Sequence, residues 1–215
     1  LELVNAALTS GLPGIINGFV ARDTLSPTSA IITQTMHAGD MTFLSPHTTP
    51  HHVLHHVVCC ALAGLHSLHT GLSAALLDVK ADNLFLDCRT GVPGGEDTHD
   101  HGHDHIHMVA AWGDVTTLTP LGPDGGVAVC DLVVDLEMTG VPELRPAKLA
   151  VSDDRVVDGR ALDMYLFGAM LKDFVEVFEL EARDVLAVVA SACLAEDPSQ
   201  RPTAGQCLAW LGSKE

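Results

Sequence analysis

The sequence predicts an α+β domain in which a few short strands precede and interrupt a mostly helical remainder. Three observations carry that expectation. Ile15–Val20 and Ala30–Thr35 are strand-like apolar runs on either side of a Ser26-Pro27 turn. After Pro50, the residues Val53, Leu54, Val57, Val58, Ala61, Leu62 and Leu65 recur at intervals of three and four, as on a helix with one buried stripe. The last third is again helical, with a nearly all-apolar stretch and a final run, Ala204–Leu211, behind a capping threonine, Thr203.

The elements can be taken in order. Residues 1–10 place Leu1, Leu3, Val4 and Leu8 on one helical stripe, which Gly11 and Pro13 stop. The two strand runs follow. Met36-His37-Ala38-Gly39-Asp40-Met41 reads as a turn carrying an acid before a short helix, and the long helix after Pro50 ends at Gly71. Leu84-Phe85-Leu86 alternates as a strand, Val109–Thr117 reads as another, and Val127–Val134 as a third.

With 215 residues the chain fits one domain with a sizeable core, and a hydrophobic fraction of 47% with 18% charged residues marks it as globular. A net charge of -17 argues against non-specific binding to nucleic acid or an anionic membrane. The cysteines, Cys59, Cys60, Cys88, Cys130, Cys193 and Cys207, form no C-x-x-C pair, which points to a reducing intracellular setting rather than a disulfide framework. No membrane span is expected, because His55 and His56 interrupt the best apolar run. The chain opens on Leu1 inside a helical pattern, which suggests a fragment.

Chemistry concentrates in residues 76–87, Leu-Leu-Asp-Val-Lys-Ala-Asp-Asn-Leu-Phe-Leu-Asp. An Asp, a Lys two places on and an Asn three further suit phosphoryl transfer: Asp78 to accept a hydroxyl proton, Lys80 to neutralise charge on the moving phosphoryl group, Asn83 to hold magnesium. Residues 88–108 run through Gly and Pro into His99, His101, His103, His105 and His107, interleaved with Asp97, Asp100 and Asp104. Such a tract is either a flexible insertion or a zinc- or nickel-binding segment. His51, His52, His55 and His56 read as the polar side of the long helix.

The interval Asp78 to Asn83 resembles the protein-kinase catalytic loop H-R-D-x-x-x-x-N, with Leu76 and Leu77 in place of His and Arg. Val141-Pro142-Glu143 resembles the A-P-E motif, Asp163-Met164-Tyr165-Leu166-Phe167-Gly168 the start of the buried central helix, and Leu194 to Thr203 the L-x-x-D-P-x-x-R-P-T signature. The chain is thus similar to the protein kinases across nearly its whole length. Its catalytic-loop form, insertion and reduced later region resemble the conserved herpesvirus tegument serine/threonine kinases in particular.

That resemblance implies a kinase-like fold truncated in its N-lobe, with residues 1–35 ending the N-lobe and 36–215 forming the C-lobe. The Gly-rich loop and phosphate-binding Lys would precede Leu1. It implies ATP and Mg2+ as cofactors, protein substrates, and a place in the host nucleus or virion tegument. Glu2 would be the helix-C glutamate, Thr33 the gatekeeper, Gln34–Met36 the hinge, and Asp40 the acid on the nucleotide ribose. The metal aspartate would be Asp114 or Asp131, neither in an intact D-F-G triplet. Spacing to Glu143 favours Asp114, with Val109–Trp112 paired to Leu84–Asp87. Glu143 and Arg201 would form an ion pair, and Asp163 would bind the catalytic-loop backbone. The alternative is a pseudokinase acting as a scaffold, which the departures at Leu76, Leu77, Val115 and Thr116 favour.

Overall fold

A computed structural model of the protein describes residues 13–15, 18–22, 29–33, 36, 38–89, 107–114, 117–129, 141–144 and 155–212. Among them the chain is a mixed α+β structure of small antiparallel sheets and four α-helices. The expected helix over residues 1–10 lies outside the described residues, as do Glu2, Gln34, Val115, Thr116, Asp131 and the histidines His99 to His105.

Strands β1 (Gly18–Arg22) and β2 (Ser29–Thr33) form an antiparallel hairpin, Gly18 opposite Thr33 and Arg22 opposite Ser29. Each of the sequence runs is found, shifted by one to three residues. The turn at Gly39-Asp40 is a short strand, β3, which leads through a 3-10 turn (Met41–Phe43) toward helix α1 (His51–Ser67). Helix α1 buries Leu54, Val57, Val58, Ala61, Leu62 and Leu65, the stripe its spacing foretold. Its α-helical part ends at Ser67, and the helical stretch as a whole ends at Leu72, one residue past the expected Gly71. One π-helical turn, Leu68–Leu72, extends the α-helical part, and Ser73 closes it at φ 48°, in the left-handed region.

The span from His51 to Leu72 is long and apolar enough, by length and composition, to cross a membrane, against the expectation that its histidines would prevent this. Its apolarity has another physical use here: α1 packs on strand β6 (His107–Trp112) and on helix α4 (Ala204–Gly212). Gly64 makes the closest approach. A Cβ there would stand 2.6 Å from both the Gly14 carbonyl oxygen and Trp112 Cδ1, so only glycine lets these segments meet. Trp112 is fully buried, its indole N–H donating to the Ala61 carbonyl at 2.8 Å.

Strand β4 (Ala74–Ala75) precedes residues 76–80, a 3-10 turn (Ala81–Asn83) comes next, and β5 (Leu84–Arg89) follows. β3, β5 and β6 form one antiparallel sheet. Its register sets Leu84 opposite Trp112, Phe85 opposite Ala111, Leu86 opposite Ala110 and Asp87 opposite Val109, the pairing expected from the sequence. Residues 90–106 therefore connect two adjacent antiparallel strands. Of the expected strand Val109–Thr117, the described Gly113 and Asp114 lie beyond the end of β6 at Trp112; of Val127–Val134, Val127 and Ala128 lie in β8 (Gly126–Ala128), paired with β9 (Val156–Asp158), and residues 130–134 lie outside the described residues. Strand β7 (Thr119–Pro120) pairs back onto β4.

Helix α2 (Gly159–Val177) is the centre of the core. Asp158 caps it by accepting from the amides of Arg160 and Ala161. Leu162, Met164, Phe167 and Leu171 are essentially inaccessible, and a fully buried side chain of this kind contributes about 1.5–3 kcal/mol. Gly168 admits helix α3 (Val185–Cys193), since a Cβ there would fall 2.6 Å from Cys193 Cβ. A 3-10 turn (Pro198–Gln200), capped by Asp197, leads to α4. There Thr203 Oγ1 accepts from the Gln206 amide at 3.2 Å while Gln206 Oε1 accepts from the Thr203 amide at 2.8 Å, a reciprocal capping box.

Candidate active site

The site is built where the C-terminal end of α1, strand β4 and helix α2 converge. Asp163 projects from α2 with no solvent exposure. Its Oδ1 accepts from the Leu77 amide at 2.7 Å, and its Oδ2 accepts from the Leu76 amide at 2.8 Å. His69 Nε2 bonds the same Oδ2 at 2.9 Å, from the π-helical turn that extends α1. A buried carboxylate is costly unless its lone pairs are filled, and here three donors fill them. With both amides fixed, Leu77 is held at φ 64°, a conformation unfavourable for a bulky side chain. Leu76 and Leu77 are both fully buried, so the two positions serve the core.

The strained turn delivers Asp78. Its Oδ2 takes an ion pair from Lys80 Nζ at 2.9 Å and a hydrogen bond from Asn83 Nδ2 at 2.8 Å. Asn83 Nδ2 also donates to the Asp78 carbonyl at 3.0 Å. The three residues singled out by spacing are therefore one hydrogen-bonded cluster. Lys80 has its ammonium held above its ordinary value, chiefly by its bond to Asp78; the charges of Asp78, Asp82 and Asp114 add to this while partial burial opposes it.

Asp114 follows the end of β6. The Gly113 amide donates to the Asn83 carbonyl at 2.9 Å, tying the two segments, and Asp114 itself sits exposed at φ 46°. Its charge makes the smallest of the contributions that raise Lys80. The chain then returns over the loop: Thr117 Oγ1 donates to the Leu76 carbonyl at 2.6 Å, and Thr119 and Pro120 pair with Ala75 and Ala74.

Among the described residues no three His, Cys, Asp or Glu side chains converge as a closed metal centre. Magnesium does not need one, since it is commonly held by one or two protein oxygens together with substrate phosphates. The donor set fits. With Asn83 Nδ2 committed to Asp78, its Oδ1 is the amide atom left to face a cation, and Asp114 supplies a carboxylate. 

Asp40 lies on β3, opposite Phe85 on β5, the strand that follows Asn83. Its Oδ1 accepts from the amide and hydroxyl of Thr42, capping the 3-10 turn. Met36 is half-buried, and Thr33 ends β2. Glu2, Gln34 and Asp131 lie outside the described residues.

Away from the cluster, Glu143 and Arg201 form the expected ion pair. Arg201 Nη2 donates to Glu143 Oε2 at 2.7 Å and Nη1 to Oε1, a bidentate fork. Arg201 is enclosed. It also donates to the carbonyls of Ala161 at 3.0 Å and Ala195 at 2.9 Å, and its guanidinium lies 4.7 Å from the Tyr165 ring centroid. Sequence reasoning missed His69 and Thr117. A single histidine in an apolar run carries no mark of a partner 94 positions later.

No family model matches the chain, and no curated protein is significantly similar to it.

Proposed function

We propose that the chain is the catalytic-loop-bearing part of a serine/threonine protein kinase that transfers the ATP γ-phosphoryl group to protein hydroxyls. The observation that carries this reading is the cluster of Asp78, Lys80 and Asn83, hung from α2 by the two bonds of Asp163 to the Leu76 and Leu77 amides. A structural turn has no use for three polar groups assembled at that strain.

In this reading Asp78 orients the substrate hydroxyl and accepts its proton as the oxygen attacks the γ-phosphorus and ADP leaves. Lys80, protonated throughout the neutral range, offsets charge on the transferring group. Asn83 Oδ1 and Asp114 would hold Mg2+, which when bound neutralises the phosphate oxygens. Glu143 and Arg201 anchor the end of the segment that follows Asp114 to the helical core.

A second reading, a pseudokinase serving as a scaffold, is favoured by the engagement of Asp78 Oδ2 with both Lys80 and Asn83 and by the buried Leu76 and Leu77. Magnesium-dependent transfer of labelled phosphate to a protein substrate by the intact protein separates the two. The kinase reading expects transfer that Asp78→Asn lowers about 10²–10⁴-fold with the fold unchanged. Absence of transfer, or full activity in Asp78→Asn, would overturn it.

A further inference from the structure

Helix α1 carries a feature that the phosphoryl-transfer reading does not use. His55 and His56 are followed one turn later by Cys59 and Cys60, so two imidazole–thiol pairs stand side by side at the i, i+4 interval. His56 is exposed, Cys60 half-buried, and the core stripe of Leu54, Val57, Val58 and Ala61 turns inward. His56 Nε2 lies 3.6 Å from Cys60 Sγ, and His55 Nδ1 lies 3.9 Å from Cys59 Sγ.

From these distances we infer that His56 and Cys60 form an open two-donor site for a borderline-soft divalent cation of the zinc class. Tetrahedral zinc has a sulfur bond of about 2.3 Å and an imidazole bond of about 2.0–2.1 Å, which separates S and N by about 3.6 Å. The His56–Cys60 pair already has that separation; the His55–Cys59 pair needs a wider angle at the metal. The helix presets both donors, so little ordering entropy opposes binding. A thiolate with an imidazole selects zinc over magnesium or calcium, and the chain's net charge of -17 draws cations toward it. As the sulfur–metal bond forms, the Cys60 thiol releases its proton to solvent. Water fills the remaining positions, so the bound ion exchanges readily.

The test uses the full chain, zinc chloride as probe, and iodoacetamide alkylation read at Cys60 by fragment-resolved peptide mass spectrometry. Zinc is expected to protect Cys60 from alkylation. His56→Gln is expected to abolish that protection, read as the ratio of Cys60 labelling with and without zinc in the same variant, while leaving helical circular dichroism unchanged. Because the readout sits on Cys60, zinc held by the His99–His107 tract does not imitate it. The assignment is overturned if zinc leaves Cys60 labelling unaltered, or if protection persists undiminished in His56→Gln.

Discussion

Asp163 holds Leu77 in a left-handed backbone conformation: the carboxylate on α2 accepts the Leu77 amide at 2.7 Å, and Leu77 sits at φ 64°. The relationship spans 86 positions in sequence and fixes the residue immediately before Asp78. Strain of this sort persists only where surrounding contacts over-determine it.

Asp163→Ala is therefore expected to cost more than its volume suggests. It leaves the Leu76 and Leu77 amides and His69 Nε2 without their buried acceptor, and each orphaned buried donor costs about 1–3 kcal/mol. Denaturant unfolding should show a loss of at least about 3 kcal/mol. Native-state hydrogen exchange should show the Leu76 and Leu77 amides exchanging faster than their neighbours on β4. Unchanged protection of those two amides would show that Asp163 does not hold the loop.

The Glu143–Arg201 pair yields a second expectation. The Arg201 side chain is fully enclosed, so Glu143→Ala strands a buried cation, and breaking such a pair costs about 3–5 kcal/mol. The carbonyls of Ala161 and Ala195 remain as partial partners, which places the loss toward the lower end. Calorimetry should record a drop in Tm of about 10 °C for a chain of this size. Glu143→Gln, which keeps the fork's acceptor oxygen, should lose less. Equal loss in the two variants would assign the effect to packing rather than charge.

Much of this architecture could be read beforehand, and the reasons differ by element. The pairing of β5 with β6 was foreseen from two things together, the strand composition of Val109–Trp112 and the spacing of Asp114 to Glu143 that the kinase resemblance implies. Arg201 was legible only through the resemblance of Asp197-Pro198-Ser199-Gln200-Arg201 to the kinase signature, which implies its pairing with Glu143. By contrast, β3 and β4 hold two residues each, too few to show a period. The left-handed Leu77 was invisible, since leucine is the wrong residue for that conformation and only distant bonds impose it. His69 was hidden for the same reason. Its partner lies on another helix, and the π-helical turn that aims it has no sequence signature here.

Lys80 provides a pH test. Its folded-state pKa is raised above the ordinary 10.5, chiefly by its hydrogen bond to Asp78. A raised lysine contributes its full stabilisation below the unfolded value and loses it as pH climbs through the folded value. The wild type and Lys80→Met should accordingly differ in stability by a constant amount across the neutral range. That difference should vanish only above pH 10.5, as the ammonium deprotonates. The Lys80 side chain is nearly half exposed, so the difference is small and screened by salt. Stability curves that converge near neutrality would mean that the Asp78–Lys80 contact does not persist in solution.

Leu77 carries the last expectation, which rests on the kinase reading. In the protein kinases that this chain resembles, an arginine before the catalytic aspartate receives a phosphate added to the following segment. Leu77 offers no charge, and its side chain is entirely buried beside Leu76. An added phosphate in residues 117–141 would find no cation at this position to offset its charge. Asp78 is instead placed by the Asp163 bonds, which are internal to the fold and independent of modification. Phosphatase treatment of the intact protein should therefore leave its rate of phosphoryl transfer unchanged. Alanine substitution of Thr119 and Thr139 should do the same. A rate that collapses on dephosphorylation and returns when one of those hydroxyls is rephosphorylated would reveal a phosphate receptor elsewhere, and the independence argued from Leu77 would fall.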